Sequence, residues 1–223
     1  MTKLILGGGG GAENEKPLDE LLLSLMPKGK MLYIPLHWKS GDFEGCLEWI
    51  KSVFAPLGFK DIEMWTKLEG KTYESLKSFG AIFIGGGNTY VLMNELRRTN
   101  FTHVLNQFVK SDRPVFGGSA GAIIWGKDIR TASFGEDSDE NTVGLADFTG
   151  LNRVNGYTIQ CHYKSNQDKE LAQFVKENKL PVIALPEGTG LYVQNDRVLV
   201  KGFQPAAVFS PKKKLYKVGS EII

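Results

Sequence analysis

Residues 113–126 read Arg-Pro-Val-Phe-Gly-Gly-Ser-Ala-Gly-Ala-Ile-Ile-Trp-Gly: a short apolar strand, a glycine-lined turn and a run of small residues suited to a helix. This is a Gly-x-Ser-x-Gly element set between a strand and a helix, an arrangement at home in α/β layers. Ser119 would sit on a turn too sharp for bulky neighbours. Its hydroxyl would then be pushed out of the sheet, beside backbone N–H groups able to hold an oxyanion. The plainer reading of the same residues is a tight turn with Ser119 as helix cap.

The remaining pattern agrees with a layered fold. Apolar strand candidates lie at 3–6, 30–35, 60–65, 80–84, 113–117 and 181–185, with helical stretches between them. Phe43, Leu47, Ile50, Phe54 and Leu57 step by four, three, four and three, the spacing of one buried helical face. Val91, Leu92, Leu96 and the 101–110 segment behave similarly. Such alternation predicts an α/β fold with a mainly parallel sheet covered by helices on both faces. The last third changes character: a hairpin turning at Asn195-Asp196, then short strands near 206–209 and 214–218. With 223 residues and 42% hydrophobic content, one domain spanning 1–223 is expected.

Charge and cysteine usage narrow the function classes. A formal charge of +2 hides no large basic block, and Lys212-Lys213-Lys214 is short, so no nucleic-acid partner is expected. No apolar run approaches the ~20 residues of a membrane span, so no membrane partner is expected either. Met1-Thr-Lys-Leu-Ile-Leu runs straight into five glycines, without the apolar stretch of a signal peptide. Cys46 and Cys161 are too few for a disulfide framework and are expected to be buried thiols of a cytoplasmic protein.

A second glycine cluster supports a chemical role for Ser119. The strand Ala81-Ile82-Phe83-Ile84 ends in Gly85-Gly86-Gly87, and Asn88-Thr89 opens a helix. If this strand lies beside the Ser119 strand, both loops open at one sheet edge, where ligands gather. N–H groups of Gly86 or Gly87 could then join that of Ala120 in an oxyanion hole, with Asn88 close by as a substrate contact or a helix cap. Histidines occur only at 37, 103 and 162. His162 ends a strand-like segment and is the candidate base; His103 lies in an amphipathic helix; His37 follows the second strand with nothing tying it to chemistry.

These residues resemble the peptidase E (aspartyl dipeptidase) family of serine peptidases, relatives of cyanophycinase. The likeness runs through Gly85-Gly86-Gly87-Asn88-Thr89, the elbow at 117–121, Ile129-Arg130-Thr131, Cys161-His162-Tyr163 and Leu185-Pro186-Glu187-Gly188. It implies a flavodoxin-like or class I glutamine amidotransferase-like fold and hydrolysis of small peptides without metal or cofactor. It also implies Ser119 as nucleophile, His162 as base, and oxyanion donors from Gly86, Gly87 and Ala120. Two departures stand out. Phe134 falls where the family's best-known members carry the triad Asp, leaving Glu187, Glu136 and Asp137 as candidates. Glu187 has the firmer setting, at a strand end between Pro186 and Gly188. The family's substrate-gripping Arg after the His is also missing; Lys164 is the nearest cation able to meet an acidic side chain. A homodimer is compatible with the sequence.

Two rivals remain. Gly7, Gly9 and Ala12 fit a relaxed dinucleotide fingerprint, although the second strand ends Ile34-Pro35-Leu36 without the ribose-binding acid. A silent relative that only binds its ligand is the other.

Overall fold

A computed structural model describes residues 1–35 and 41–223. The chain alternates β1 (Lys3–Gly7), α1 (Ala12–Leu25), β2 (Lys30–Ile34), α2 (Phe43–Phe54), β3 (Ile62–Met64) and β4 (Phe79–Ile84). Then come α3 (Thr89–Arg98), α4 (Phe101–Lys110), β5 (Val115–Gly118) and the single turn α5 (Ala120–Ile123). Beyond a long irregular stretch follow β6 (Thr158–Gln160), α6 (Asp168–Asn178), β7 (Val182–Ala184), β8 (Thr189–Gln194), β9 (Arg197–Gly202), β10 (Ala206–Ser210) and β11 (Lys212–Tyr216).

Seven strands form the main sheet in the order β3-β2-β4-β5-β1-β8-β9. The first five are mutually parallel, and β8 and β9 close one side as an antiparallel hairpin. Successive side chains of a strand point to opposite faces. Leu4, Leu6, Leu32, Ile34, Ile82 and Ile84 accordingly pack on one side, and Ile5, Met31, Tyr33, Ala81, Phe83 and Phe116 on the other. Both faces are dry, which is why these strands lack the polar alternation of a half-exposed sheet. In α2 the buried residues are Cys46, Ile50, Val53 and Phe54; Leu47 and Leu57 are only half-buried, so the stripe is rotated from the expected one.

The segment 181–185 does not extend the main sheet. Its strand β7 lies in a second sheet, β11-β10-β7-β6, paired parallel to β6 and antiparallel to β10. This sheet has its own core, in which Leu171, Phe174 and Val175 of α6 meet Val182, Ala184, Ala207 and Phe209. No helix among the described residues is long and apolar enough to cross a membrane.

In the main sheet, Gly7 pairs with Gly118 and Ile84 with Gly117. The Gly7–Gly11 loop, the Gly85–Gly87 loop and the turn at Ser119 therefore leave the sheet at one edge. There the second sheet delivers the ends of β6 and β7.

Candidate active site

Ser119 sits between β5 and α5 with φ 52° and ψ −114°, a backbone state that costs a non-glycine residue of order 1–3 kcal/mol. The neighbouring glycines make the turn sterically feasible. A Cβ on Gly117 would fall 2.1 Å from the Gly121 carbonyl oxygen, and one on Gly121 would fall 2.3 Å from that of Ile84. The Ser119 hydroxyl caps no helix N–H. It lies 2.8 Å from Nε2 of His162.

His162 follows β6 and also has positive φ, 50°. Its Nδ1 is 3.0 Å from Oε1 of Glu187, which sits in the turn from β7 to β8. The Glu187 side chain is 50% exposed, so it orients the imidazole more than it adds raw Coulombic energy. The three groups come from two sheets and the segment joining them. His162 is thus not on a strand neighbouring that of Ser119, as a one-sheet reading would have it.

The Gly7–Gly11 loop registers them. Gly7 O accepts the Ser119 N–H at 3.1 Å, Gly8 O the His162 N–H at 2.8 Å, and Gly9 O the Gly188 N–H at 3.0 Å. Three consecutive carbonyls hold the three segments that carry Ser119, His162 and Glu187. The Gly9 N–H faces Oε1 of Glu15, 3.2 Å away. A carboxyl therefore occupies the donor that a dinucleotide phosphate would need, which argues against the fingerprint reading of this loop.

Glu15 is 6% exposed, and burial, with repulsion from Glu187, pushes its carboxyl to about 7 against the pull of the Gly9 N–H. Sequence reasoning missed it: a Glu in a helix's first turn ordinarily signals a solvated dipole partner. Burial likewise pushes the Cys161 thiol upward, and it contacts the Ser119 carbonyl oxygen at 3.5 Å. Cys46 and Cys161 are both free and buried.

A cleft of about 450 Å³ opens over Ser119 and His162. Gly86, Gly87, Trp49, Phe83, Phe134 and Gln160 are among the residues around it. A Cβ on Gly86 would stand 3.4 Å from that of Ser119, so the β4 loop flanks the hydroxyl. Ala120 is the first residue of α5, where an N–H has no helical carbonyl to meet.

Two expected substrate contacts are placed otherwise. Asn88 accepts from the Val91 N–H at 3.0 Å and donates to the Glu140 carbonyl at 2.8 Å, so its amide is spent on capping α3. Lys164 has its ammonium 2.6 Å from Oε2 of Glu136 and borders a smaller neighbouring recess, not the main cleft. Glu136 is engaged by that ammonium, while Phe134 packs on Phe174. His103 is exposed on α4. His37 lies outside the described residues.

A strained serine, an imidazole and a carboxyl in hydrogen-bonded series form the layout of a hydrolase that works through a nucleophilic side chain. The chain belongs to peptidase family S51, whose sequence model matches residues 4–201. It is 28% identical over 189 residues to peptidase E of Shewanella denitrificans, covering 83% of this chain and 80% of that one. To peptidase E of Haemophilus influenzae it is 30% identical over 173 residues, covering 73% and 72%. The fold matches that of a peptidase from an acI-B1 actinobacterium with TM-score 0.71 at 19% identity, covering all of this chain and 96% of that one. The protein is a peptidase.

Proposed function

We propose that this peptidase hydrolyses small peptides by acyl transfer through Ser119. The Ser119 Oγ attacks the scissile carbonyl carbon as His162 Nε2 takes its proton. The oxyanion that forms is held by N–H groups of Gly86, Gly87 and Ala120. Collapse breaks the C–N bond, and the imidazolium returns the proton to the leaving amine. Water then attacks the acyl-enzyme with His162 again as base. Glu187 keeps Nδ1 protonated and the ring in place. The 2.8 Å approach of Ser119 Oγ to His162 Nε2, on a backbone strained to present that hydroxyl, carries the reading. A cleft of about 450 Å³ suits a dipeptide or a short isopeptide. Two buried free thiols support a cytoplasmic setting.

Ser119→Ala is expected to abolish peptide turnover with an unchanged circular dichroism spectrum and melting temperature. A phosphonofluoridate should label the wild type at Ser119. Undiminished turnover by Ser119→Ala would refute the mechanism.

A further inference from the structure

The buried carboxyl of Glu15 fills space that two glycines leave open. A Cβ on Gly7 would collide with its Oε1, and one on Gly118, the residue before Ser119, would stand 3.7 Å from its Oε2. Oε1 accepts the Gly9 N–H at 3.2 Å. Gly9 in turn meets both partners of Ser119. A Cβ there would collide with the His162 ring at Cε1, so the Gly9 backbone rests against the imidazole edge. Its carbonyl holds the Gly188 N–H, next to Glu187. A run of glycines has little conformational preference of its own. The place of Gly9 is therefore set by the hydrogen bonds at its two ends, and Glu15 makes the one at the N–H.

A side chain needed only to fill this space and accept from Gly9 would serve better as glutamine, which brings no charge to desolvate. Glu15 instead titrates at about 7, raised chiefly by burial, and shifted pKa values of this kind gather at functional sites. The titratable groups coupled to it are Asp19 on its own helix, Cys161 after β6 and Glu187 in the turn from β7 to β8, with His162 across Gly9.

We propose that Glu15 is a positioning residue for the Ser119 reaction: its carboxylate holds Gly9, and through Gly9 the imidazole edge of His162 and the turn that bears Glu187. The inference rests on the Ser119 mechanism and adds a group that touches none of the reacting atoms. A carboxylate binds an N–H more firmly than a neutral carboxyl does, so the loop is held best when Glu15 is ionised.

The rate at which a phosphonofluoridate labels Ser119 reports the activated hydroxyl whichever peptide is cleaved. Measured from about pH 5.5 to about pH 8, the wild type should show an acid limb steeper than one ionisation, and Glu15→Gln a limb that fits one. At about pH 8 Glu15→Gln should react about fivefold more slowly than the wild type, the difference between a charged and a neutral acceptor. The two rates should converge as pH falls and the wild-type carboxyl takes up its proton. Glu15→Gln should melt no lower than the wild type at about pH 8, which separates lost positioning from lost stability. Asp19→Asn should keep the steeper limb. Glu15→Leu, without an acceptor for Gly9, should label at least about tenfold more slowly at every pH.

Superimposable pH profiles of the wild type and Glu15→Gln would overturn the inference, and so would a folded Glu15→Leu protein labelled at the wild-type rate. If Glu15→Leu does not fold, the glutamine comparison decides alone. A wild type left unlabelled at Ser119 is a different failure: it refutes the mechanism itself, and the role of Glu15 falls with it.

Discussion

The Ser119 backbone angle is a cost accepted for placement. A serine in a relaxed turn could point its hydroxyl many ways; at φ 52° it points at the His162 imidazole. In the proposed mechanism His162 needs equal constraint, because an imidazole free to rotate or to change tautomer is a poor base. Glu187 supplies that constraint from a turn closed by the Thr189 N–H on Pro186 O. Glu187→Gln is therefore expected to lower kcat by about 10⁴-fold, the loss typical of a neutralised triad carboxylate. Glu136→Gln, whose carboxylate is engaged by Lys164, should fall far short of that loss in the same assay. A nearly silent Glu187→Gln would remove Glu187 from the mechanism.

Among the elements, the short α5 and the longer α3 do different work. α5 is one turn, enough to carry the chain away from Ser119. α3 is amphipathic, burying Tyr90, Leu92, Met93 and Leu96, and its start is fixed by two caps. Asn88 satisfies the Val91 N–H, and Asp139 reaches across from the loop after α5 to the Thr89 N–H. Asn88→Ala should cost about 1 kcal/mol of stability, the usual worth of such a cap. It should leave KM for a small peptide within about twofold, since the amide faces the helix and not the cleft. A large rise in KM at unchanged stability would return Asn88 to the substrate.

At the scale of the molecule, the seam between the Gly7–Gly11 loop, α1 and the main sheet concentrates buried acid. Asp19 is 2% exposed, and its Oδ1 has no partner among the described residues. Burial first, then repulsion from Glu15 and Glu20, raises its carboxyl from an ordinary 3.8 to about 8. Folding therefore retains a proton that the unfolded chain gives up. Asp19 contributes stability that is fully present below about pH 4 and is lost as pH rises through about 8. Glu15 acts in the same direction between 4.5 and about 7. Asp19→Asn should melt at a higher temperature than the wild type at pH 9, with the difference shrinking towards pH 4. Parallel melting curves of the two proteins across that range would contradict the assignment.

Local order was legible in the residues alone. Apolar runs and helical spacing located β1, β2, β4, β5 and the helices between them, although not the exact buried face of α2, because burial on both sides of a parallel sheet leaves a plain hydrophobic signature. The glycines of 117–121 announced the turn, because steric room is a local requirement. The Asn195-Asp196 hairpin was readable for the same reason. What the sequence could not settle was which elements meet. β7 looks like any buried strand, and only pairing with β6 and β10 sends it to a second sheet. Lys164 was the nearest cation along the chain, yet in space it belongs to Glu136. Glu187, Glu136 and Asp137 were three carboxylates of equal chemistry, separated by the carbonyls of Gly7, Gly8 and Gly9 that register one segment against the others. Glu15 and Gln160 gave no signal at all, since the direction of a side chain into the cleft depends on packing contacts between segments far apart in sequence. Residue types and their spacing determined the elements and the turn at Ser119; the meeting of two sheets decided its neighbours.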